Sequence, residues 1–466
     1  MSDSIHTNEM AQAQDNATCE SSRKLEVATK ITLEEAQALA KRCLNCKKPF
    51  CTLKGCPVHI NIPAFVADIL AGNPQEAYKK LKTQTALPAV CGRVCPQEKQ
   101  CEGSCILNKM KKDPRPVSIG KLERFAADYV RENDLEELPQ VAAATSKKVA
   151  IIGSGPAGIT AAADLIVAGH QVEIFEASDI PGGVLTYGIP EFRLPKDIVL
   201  HEIEQIQKMG VKIHLNSPIG KEKTLATLRE DMGFDAIFIA VGASVPKLMS
   251  IEGEDAIGVY KSTEFLAKYN LSRAFPEKGV EAIDAKNIVT IGGGNVAMDS
   301  SRVALRTGAK STLVYRRMKE QMPARAVELL HAEEEGVHFE LLTNPKRIIK
   351  DESGKIVAME CIKMGLGEPD DSGRQRPIEI AGSEFLIECD AAIIAIGNDP
   401  SDLIPSTSIG LRTSPWGTLE VNEETLETSL SGIYAGGDIV SGALTVISAM
   451  GQGKRAAASI NEYLAK

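Results

Sequence analysis

No run of about 18 apolar residues occurs anywhere in the 466-residue chain, so no membrane-spanning helix is expected. The opening stretch, M-S-D-S-I-H-T-N-E-M-A-Q-A-Q-D-N, lacks the basic start and apolar centre of an export signal. A net charge of -9 leaves no basic excess for general nucleic-acid binding. These absences predict a cytoplasmic, reducing setting with neither a membrane nor a nucleic acid as partner. Residues 1–30 are polar and read as a loosely ordered tail. What remains is ordinary for a globular chain, 43% hydrophobic and 25% charged, with length for two to four domains.

Cysteine is where the sequence is rich. Eight of its eleven cysteines lie in two runs. The first is C-x2-C-x4-C-x4-C (Cys43, Cys46, Cys51, Cys56), and the second is C-x3-C-x5-C-x3-C (Cys91, Cys95, Cys101, Cys105). Disulfides would need an oxidising compartment. Structural zinc favours paired C-x2-C units, and only Cys43 and Cys46 have that spacing. Iron–sulfur clusters take four thiolates each, often with a proline after a ligand. Here Pro57 follows Cys56 and Pro96 follows Cys95. By counting, eight thiols make two 4Fe–4S clusters, an electron relay within a helical domain at 31–145. The stretches I-P-A-F-V-A-D-I-L-A-G and N-P-Q-E-A-Y-K-K-L between them read as helices. Cys19 sits in the tail, and Cys361 and Cys389 in strand-like runs where a buried inert thiol is expected.

From Lys147 the pattern changes to strand, Gly-rich turn, helix, strand. Gly153, Gly155 and Gly158 spell G-x-G-x-x-G, with Pro156 and Ala157 inside the motif. The glycines permit a tight turn, close approach of a pyrophosphate, and close helix–strand packing. Glu176 ends the second strand, where a carboxylate can bind ribose hydroxyls. The continuation P-G-G-V-L-T-Y-G-I-P-E-F-R-L-P, with Gly182, Gly183 and Arg193, suggests contacts to a flavin.

A second fingerprint follows in K-N-I-V-T-I-G-G-G-N-V-A-M-D. Gly292 and Gly294 supply the first glycines, Asn295 and Val296 follow, and Ala297 takes the third position. Where the first site has Glu176, this one has Arg316 and Arg317. Guanidinium groups attract a 2′-phosphate that a carboxylate would repel, so NADPH is expected over NADH. The E-E-E run at 333–335 reads as a solvated helix face.

The closing segment, I-Y-A-G-G-D-I-V-S-G-A-L-T-V-I-S-A-M, reads strand, loop, helix. It puts Gly437 and Asp438 at a strand end and Thr445 at a helix start, completing the first site. The second domain is then inserted into the first, with Ala240–Gly242 and Ala395–Gly397 marking the crossings. The expected architecture is α/β: two Rossmann-like domains behind the helical one. The FAD-binding domain is assigned to 146–280 and 390–466, and the NADPH-binding domain to 281–389.

These motifs, in this order, resemble the small (beta) subunit of NADPH-dependent glutamate synthase and its relatives. Those relatives include the N-terminal half of dihydropyrimidine dehydrogenase and the large subunit of the electron-bifurcating NADH-dependent ferredoxin:NADP oxidoreductase. The likeness runs from about residue 31 and rests on the double cysteine set, G-S-G-P-A-G, G-G-G-N-V-A-M-D, Y-R-R and A-G-G-D-I. It implies FAD at the first site, NADPH at the second, and two 4Fe–4S clusters. It also implies crossed ligation: Cys43, Cys46 and Cys51 with Cys105, and Cys56, Cys95 and Cys101 with a carboxylate, here Glu123. Counting thiols alone selects Cys91 for that last place.

NADPH gives a hydride, flavin can release electrons singly, and clusters carry them one at a time, so these sites belong together. No C-x2-C lies in or beyond the second nucleotide region, which argues against a dithiol relay. Ser2 stands where an N-terminal-nucleophile glutaminase needs cysteine, and no segment suits an FMN barrel of about 250 residues. The expected role is therefore the electron-input subunit of a hetero-oligomer. The partner is the glutamate synthase large subunit; the alternative is a small flavin and iron–sulfur subunit of a bifurcating or sulfide-type enzyme exchanging electrons with ferredoxin. A flavin-bearing scaffold is the non-enzyme alternative.

Overall fold

A computed structural model describes residues 26–369 and 373–466; Cys19 and most of the expected tail lie outside the described residues. Two compact units divide the chain. The larger comprises Lys30–Gly188, Lys196–Lys247 and Gly397–Lys466; the smaller contains Ile189–Pro195 and Leu248–Ile396.

The larger unit begins with short helices: α1 (Leu33–Ala40), α2 (Ile62–Leu70), α3 (Pro74–Lys82), α4 (Pro88–Val94) and α5 (Ile119–Glu132). Each of the first four is too short to persist alone in water. Local chemistry starts them. Thr32 and Glu35 form a reciprocal capping box on α1. Prolines open α3 and α4, where a missing N–H is harmless. Packing holds them: Phe65, Ile69, Leu81, Val90, Leu122 and Val130 are fully buried, each such side chain contributing roughly 1.5–3 kcal/mol.

The same unit continues into a parallel sheet of β1 (Lys148–Ile152), β2 (Gln171–Phe175), β3 (Lys212–His214), β4 (Ala236–Ile239) and the late strand β14 (Ile433–Ala435). The spatial order is β14-β4-β1-β2-β3. The runs V-A-I-I and A-I-F-I are buried, as central parallel strands covered on both faces must be. Helices α6 (Pro156–Val167), α7 (Lys196–Lys208) and the final α11 (Val446–Leu464) pack around it. Gly453 of α11 meets the Ala157 carbonyl of α6 so closely that a Cβ would collide with it.

In the smaller unit β5 (Val259–Lys261), β6 (Asn287–Ile291), β7 (Lys310–Tyr315), β8 (His338–Leu341) and β13 (Ala391–Ile394) form a second parallel sheet, ordered β5-β13-β6-β7-β8. Helices α8 (Ser262–Ala274), α9 (Asn295–Arg306) and α10 (Ala326–Glu334) accompany it. Strands β9 (Thr343–Lys350), β10 (Ile356–Pro369), β11 (Gln375–Glu379) and β12 (Phe385–Glu388) make an antiparallel layer.

The second nucleotide-type fold is thus inserted into the first, with different boundaries from those expected. Strand pairing draws β5 and β13 into the second sheet beside β6, so the division falls at 247/248 and 396/397 instead of 280/281 and 389/390. The Ala395–Gly397 crossing mark coincides with the second division, and Ala240–Gly242 precedes the first by a few residues. The cysteine region also shares one compact unit with the first nucleotide fold. Among the described residues no helix is long and apolar enough to cross a membrane.

Candidate functional site

Two cavities gather the clustered cysteines, and they do not follow the two runs of the sequence. The first, about 230 Å³, is lined by Cys43, Cys46, Cys51 and Cys105. The second, about 20 Å³, is lined by Cys56, Cys91, Cys95, Cys101 and Glu123. Cys105 thus leaves its own run for the first cavity, and Cys56 leaves its run for the second. Burial pushes the Cys51 and Cys56 thiols up to about 11 and Cys101 higher still. Such thiols become thiolates when a metal cation replaces the proton. Among the described residues no three of these donors converge as a single metal ion requires. They stand around cavities instead, which fits a polynuclear cluster held by ligands on several sides.

Cys91 and Glu123 compete for the second cavity. The Cys91 sulfur already lies 3.7 Å from Thr85 Oγ1 and 3.6 Å from Met450 Sδ. Glu123, on α5, is 5% exposed, and its Oε1 is buried without a hydrogen-bond partner. Burial first, then the nearby Glu202 carboxylate, pushes its carboxyl up to about 8. A buried orphan carboxylate oxygen is costly unless a cation meets it.

Sequence reasoning missed the supports of this cavity. Glu202 of α7 is buried; it accepts the Ala89 N–H of α4 at 3.1 Å and faces Lys82 Nζ at 3.4 Å. It thereby ties the helix bearing Cys91 to the flavin-type fold. Gln97 donates to the Cys91 and Gly92 carbonyls, each at 3.3 Å. On the opposite side α11 closes the cavity with Ile447, and Gln100 reaches Thr445 Oγ1 at 3.4 Å. No motif announces these contacts, because each joins segments over 100 residues apart or one unremarkable glutamine.

The first nucleotide fingerprint sits between β1 and α6. Gly153 has φ +101°, and a Cβ there would stand 2.6 Å from the Ala240 carbonyl. Gly158 packs against the Gly153 carbonyl, leaving no room for a Cβ. Gly155 has no protein atom within 4 Å of where a Cβ would be, so the space above the α6 N-terminus is open to a ligand. Pro156 and Ala157 begin the helix. Glu176, at the end of β2, accepts from Ser154 N–H (2.9 Å), Ser154 Oγ (2.6 Å) and Ser178 N–H (2.8 Å). The carboxylate braces the Gly-rich turn.

Gly182 N–H donates to Ser154 Oγ at 2.9 Å, and Gly183 lies against Gly155. The two glycine segments therefore face each other. Gly242 follows β4 with open space around it. From the late strand, Gly437 N–H donates to Gln452 Oε1 at 2.6 Å, and burial raises the Asp438 carboxyl. Thr445 caps α11, accepting from Ser448 N–H at 3.2 Å. Gly437 also lies against Ala157, so the late loop adjoins the first glycine-rich turn.

In the smaller unit Gly292 has φ +139°, and Gly294 again leaves open space at the start of α9. Ala297 is fully buried against the turn, while Val296 is exposed. Asn295 accepts from the Arg325 N–H at 2.9 Å, tying α9 to α10. The two arginines after β7 differ. Arg316 is exposed; Arg317 is 6% exposed and donates Nε–H to the Gln375 carbonyl at 2.8 Å.

Arg193 was expected among the flavin contacts, and the structure gives it other work. It belongs to the smaller unit, where Nη1 contacts both Asp299 oxygens at 2.8 and 2.7 Å and Nε lies 3.1 Å from Glu328. Asp299 follows the second fingerprint on α9. Nor is the E-E-E run simply solvated: Glu335 pairs with Arg302 at 2.7 Å and Arg306 at 2.6 Å. Cys361 and Cys389 lie in the core, where burial pushes both thiols up to about 12.

The family described as dihydropyrimidine dehydrogenase domain II, 4Fe–4S cluster, matches residues 20–135. The pyridine nucleotide-disulphide oxidoreductase family matches residues 147–453. The glutamate synthase [NADPH] small chain of Escherichia coli is 37% identical, the match covering 92% of each chain. The chain belongs to the glutamate synthase small-chain family. The two family models mark it as an oxidoreductase chain with places for 4Fe–4S clusters, FAD and a pyridine nucleotide.

Other members of similar sequence carry different names. The NADP(+)-dependent formate dehydrogenase subunit beta of Moorella thermoacetica is 43% identical over 90% of this chain. The NADPH-Fe(3+) oxidoreductase subunit beta of Geobacter sulfurreducens is 38% identical over 88%. The chain spans only 60% and 63% of those two proteins' lengths. In structure, Mycobacterium tuberculosis FprA in complex with NADPH superposes with a TM-score of 0.58 at 20% identity, covering 69% of this chain and 85% of that one. At that identity the likeness shows the fold.

Proposed function

We propose that this chain is the electron-input subunit of a glutamate synthase, supplying electrons from NADPH to a larger chain that makes glutamate. The observation that carries the electron-input role is the sharing of one compact unit by both cysteine cavities and the first nucleotide site. FAD, when bound, accepts a hydride from NADPH and returns electrons singly, which the clusters can carry. The residues do the rest. Gly153, Gly155 and Gly158 admit the FAD pyrophosphate, Glu176 binds its ribose, and Gly182, Gly183, Gly242, Gly437, Asp438 and Thr445 surround the remainder. Gly292, Gly294, Asn295, Val296 and Ala297 hold the NADPH pyrophosphate, while Arg316 and Arg317 bind its 2′-phosphate. Cys43, Cys46, Cys51 and Cys105 hold one cluster; Cys56, Cys95, Cys101 and Glu123 hold the other. The unpaired buried Glu123 oxygen favours it over Cys91, whose sulfur already has neighbours.

The match along 92% of the Escherichia coli small chain supports glutamate synthase as the destination. The higher identity to the formate dehydrogenase subunit supports a second reading, in which the same module exchanges electrons with a formate-oxidising chain. A bifurcating partner, a small flavin and iron–sulfur chain, is the third. Anaerobic affinity capture of the tagged holoprotein from its native extract, with partners identified by mass spectrometry, separates them. A large amidotransferase chain, with glutamine- and 2-oxoglutarate-dependent NADPH oxidation in the captured complex, is the expected result. A formate-oxidising or small flavin chain in its place would overturn the glutamate synthase assignment and leave the input role standing.

A further inference from the structure

The second cysteine cavity has a buried charge beside it that belongs to the first nucleotide fold. Glu202 lies on α7 and is 2% exposed. A carboxylate seldom leaves water unless partners meet it. Here each oxygen has one. Oε1 accepts the Ala89 N–H of α4 at 3.1 Å, and Oε2 lies 3.4 Å from Lys82 Nζ on α3. Lys82 also donates to the Ala86 carbonyl at 2.8 Å, so its ammonium is shared. A glutamine would serve the Ala89 N–H equally well, so packing alone does not call for a charge at this position.

The charge faces the cavity. The carboxylate stands between Lys82 and α4, bonded to the helix on one oxygen and to the ammonium on the other. That helix carries Cys91, and Cys95 follows directly after its last residue; both line the second cavity. Glu123 enters the same cavity from α5. The Glu202 charge is felt there, because it adds to burial in raising the Glu123 carboxyl. The other acid near Glu202 is Glu136, which is engaged by Tyr78 Oη at 2.7 Å and by His201 Nε2. The first cavity is different. Its lining holds no acid, and Lys48 is its charged side chain.

We propose that Glu202 is a positioning residue for electron transfer: its buried negative charge lowers the reduction potential of the cluster held by Cys56, Cys95, Cys101 and Glu123. The proposal rests on the electron-input reading and adds a residue that sets the order of the electron steps. Each electron that enters a cluster makes it more negative, and a fixed anion nearby opposes that gain. Burial keeps the charge effective, since water and salt screen an exposed one. A unit charge acting across one helix diameter, about 10 Å, at an effective dielectric of about 20, shifts such an equilibrium on the order of tenfold. The Lys82 ammonium takes back part of it. The expected effect is therefore roughly threefold to tenfold in the reduction equilibrium, ~30–60 mV for one electron.

The test is an EPR-monitored redox titration of the anaerobic holoprotein, with the two cluster signals assigned through Glu123→Ala. Glu202→Gln keeps the size and the acceptor for Ala89. It should raise the midpoint potential of the second cluster by that amount, leave the first in place, and retain the iron content of the unaltered protein. Glu202→Asp keeps the charge and should stay near the original potential. Glu204→Gln, an exposed acid on the same helix, should move neither cluster. An unchanged second potential in Glu202→Gln would overturn the proposal. So would equal shifts of both clusters, or a shift as large with Asp as with Gln, which would mark packing as the cause. Loss of iron from Glu202→Gln would make the residue a structural tie and overturn the proposal as well. A single cluster signal in the unaltered protein would strike the cluster assignment, and the proposal with it.

Discussion

Replacing Arg316 with alanine should weaken NADPH far more than NADH. The residue is exposed beyond β7, so its loss removes no packing and leaves no buried partner behind. A charge-assisted hydrogen bond to phosphate contributes about 1.5–3 kcal/mol, which is about 10- to 150-fold. The ratio of kcat/KM for NADPH to that for NADH should fall by this factor, near its lower end because solvent competes. Arg317→Ala should behave differently. Arg317 is buried, and its Nε–H satisfies the Gln375 carbonyl. Its removal breaks that part-buried hydrogen bond, at a net cost of about 0.5–1.5 kcal/mol of stability. At about 2–4 °C per kcal/mol for a domain of 150–250 residues, the Tm should drop measurably. Arg316→Ala should therefore change specificity at constant Tm, and Arg317→Ala should change both. Steady-state kinetics with both nucleotides and a thermal melt on each variant suffice. Equal losses for NADPH and NADH in both variants would refute the 2′-phosphate assignment.

Gly155→Ala should fold normally yet lose FAD affinity, because no protein atom lies near the new Cβ; Gly158→Ala should fail to fold, because its Cβ meets the Gly153 carbonyl. Flavin absorbance after purification and a far-ultraviolet melt distinguish the two. Arg193→Ala strands the buried Asp299 carboxylate, while Glu328 keeps Arg302, and should cost the smaller unit about 3–5 kcal/mol, read by denaturant unfolding. Burial raises the Glu335 carboxyl, but hydrogen bonds from Arg306 and Arg302 outweigh it and hold the group down at about 2. Its contribution is present above its ordinary value of 4.5 and is lost as pH falls toward about 2, so Glu335→Gln should flatten the acid limb of the stability curve. Glu123→Ala should alter the EPR signal of one cluster and spare the other, whereas Cys91→Ser should leave both; the opposite pattern returns the ligand role to Cys91.

Much of the fold was legible because the Gly-rich turns obey local rules. A phosphate-binding loop needs glycine at fixed offsets between a buried strand and a helix, so Gly153–Gly158 and Gly292–Ala297 could be read directly. The late return of Ile433–Asp438 to the first sheet was legible too, because one nucleotide fold was incomplete without it. Domain boundaries were less so. Val259–Lys261 carries no sign of which sheet it will join, and pairing with β13 decides it.

The sequence by itself determined the inventory: eight clustered thiols, two dinucleotide fingerprints, one followed by Glu176 and the other by Arg316 and Arg317, and no run of about 18 apolar residues. Those depend on residue type and short spacing. Only the tertiary structure decided how the thiols divide, sending Cys105 to one cavity and Cys56 to the other. It alone showed Glu123 with an unsatisfied buried oxygen, Arg193 locked to Asp299, and Glu335 clamped between two arginines. Burial, ion pairing and surface sign are properties of neighbours in space, and a linear order of residues does not contain them.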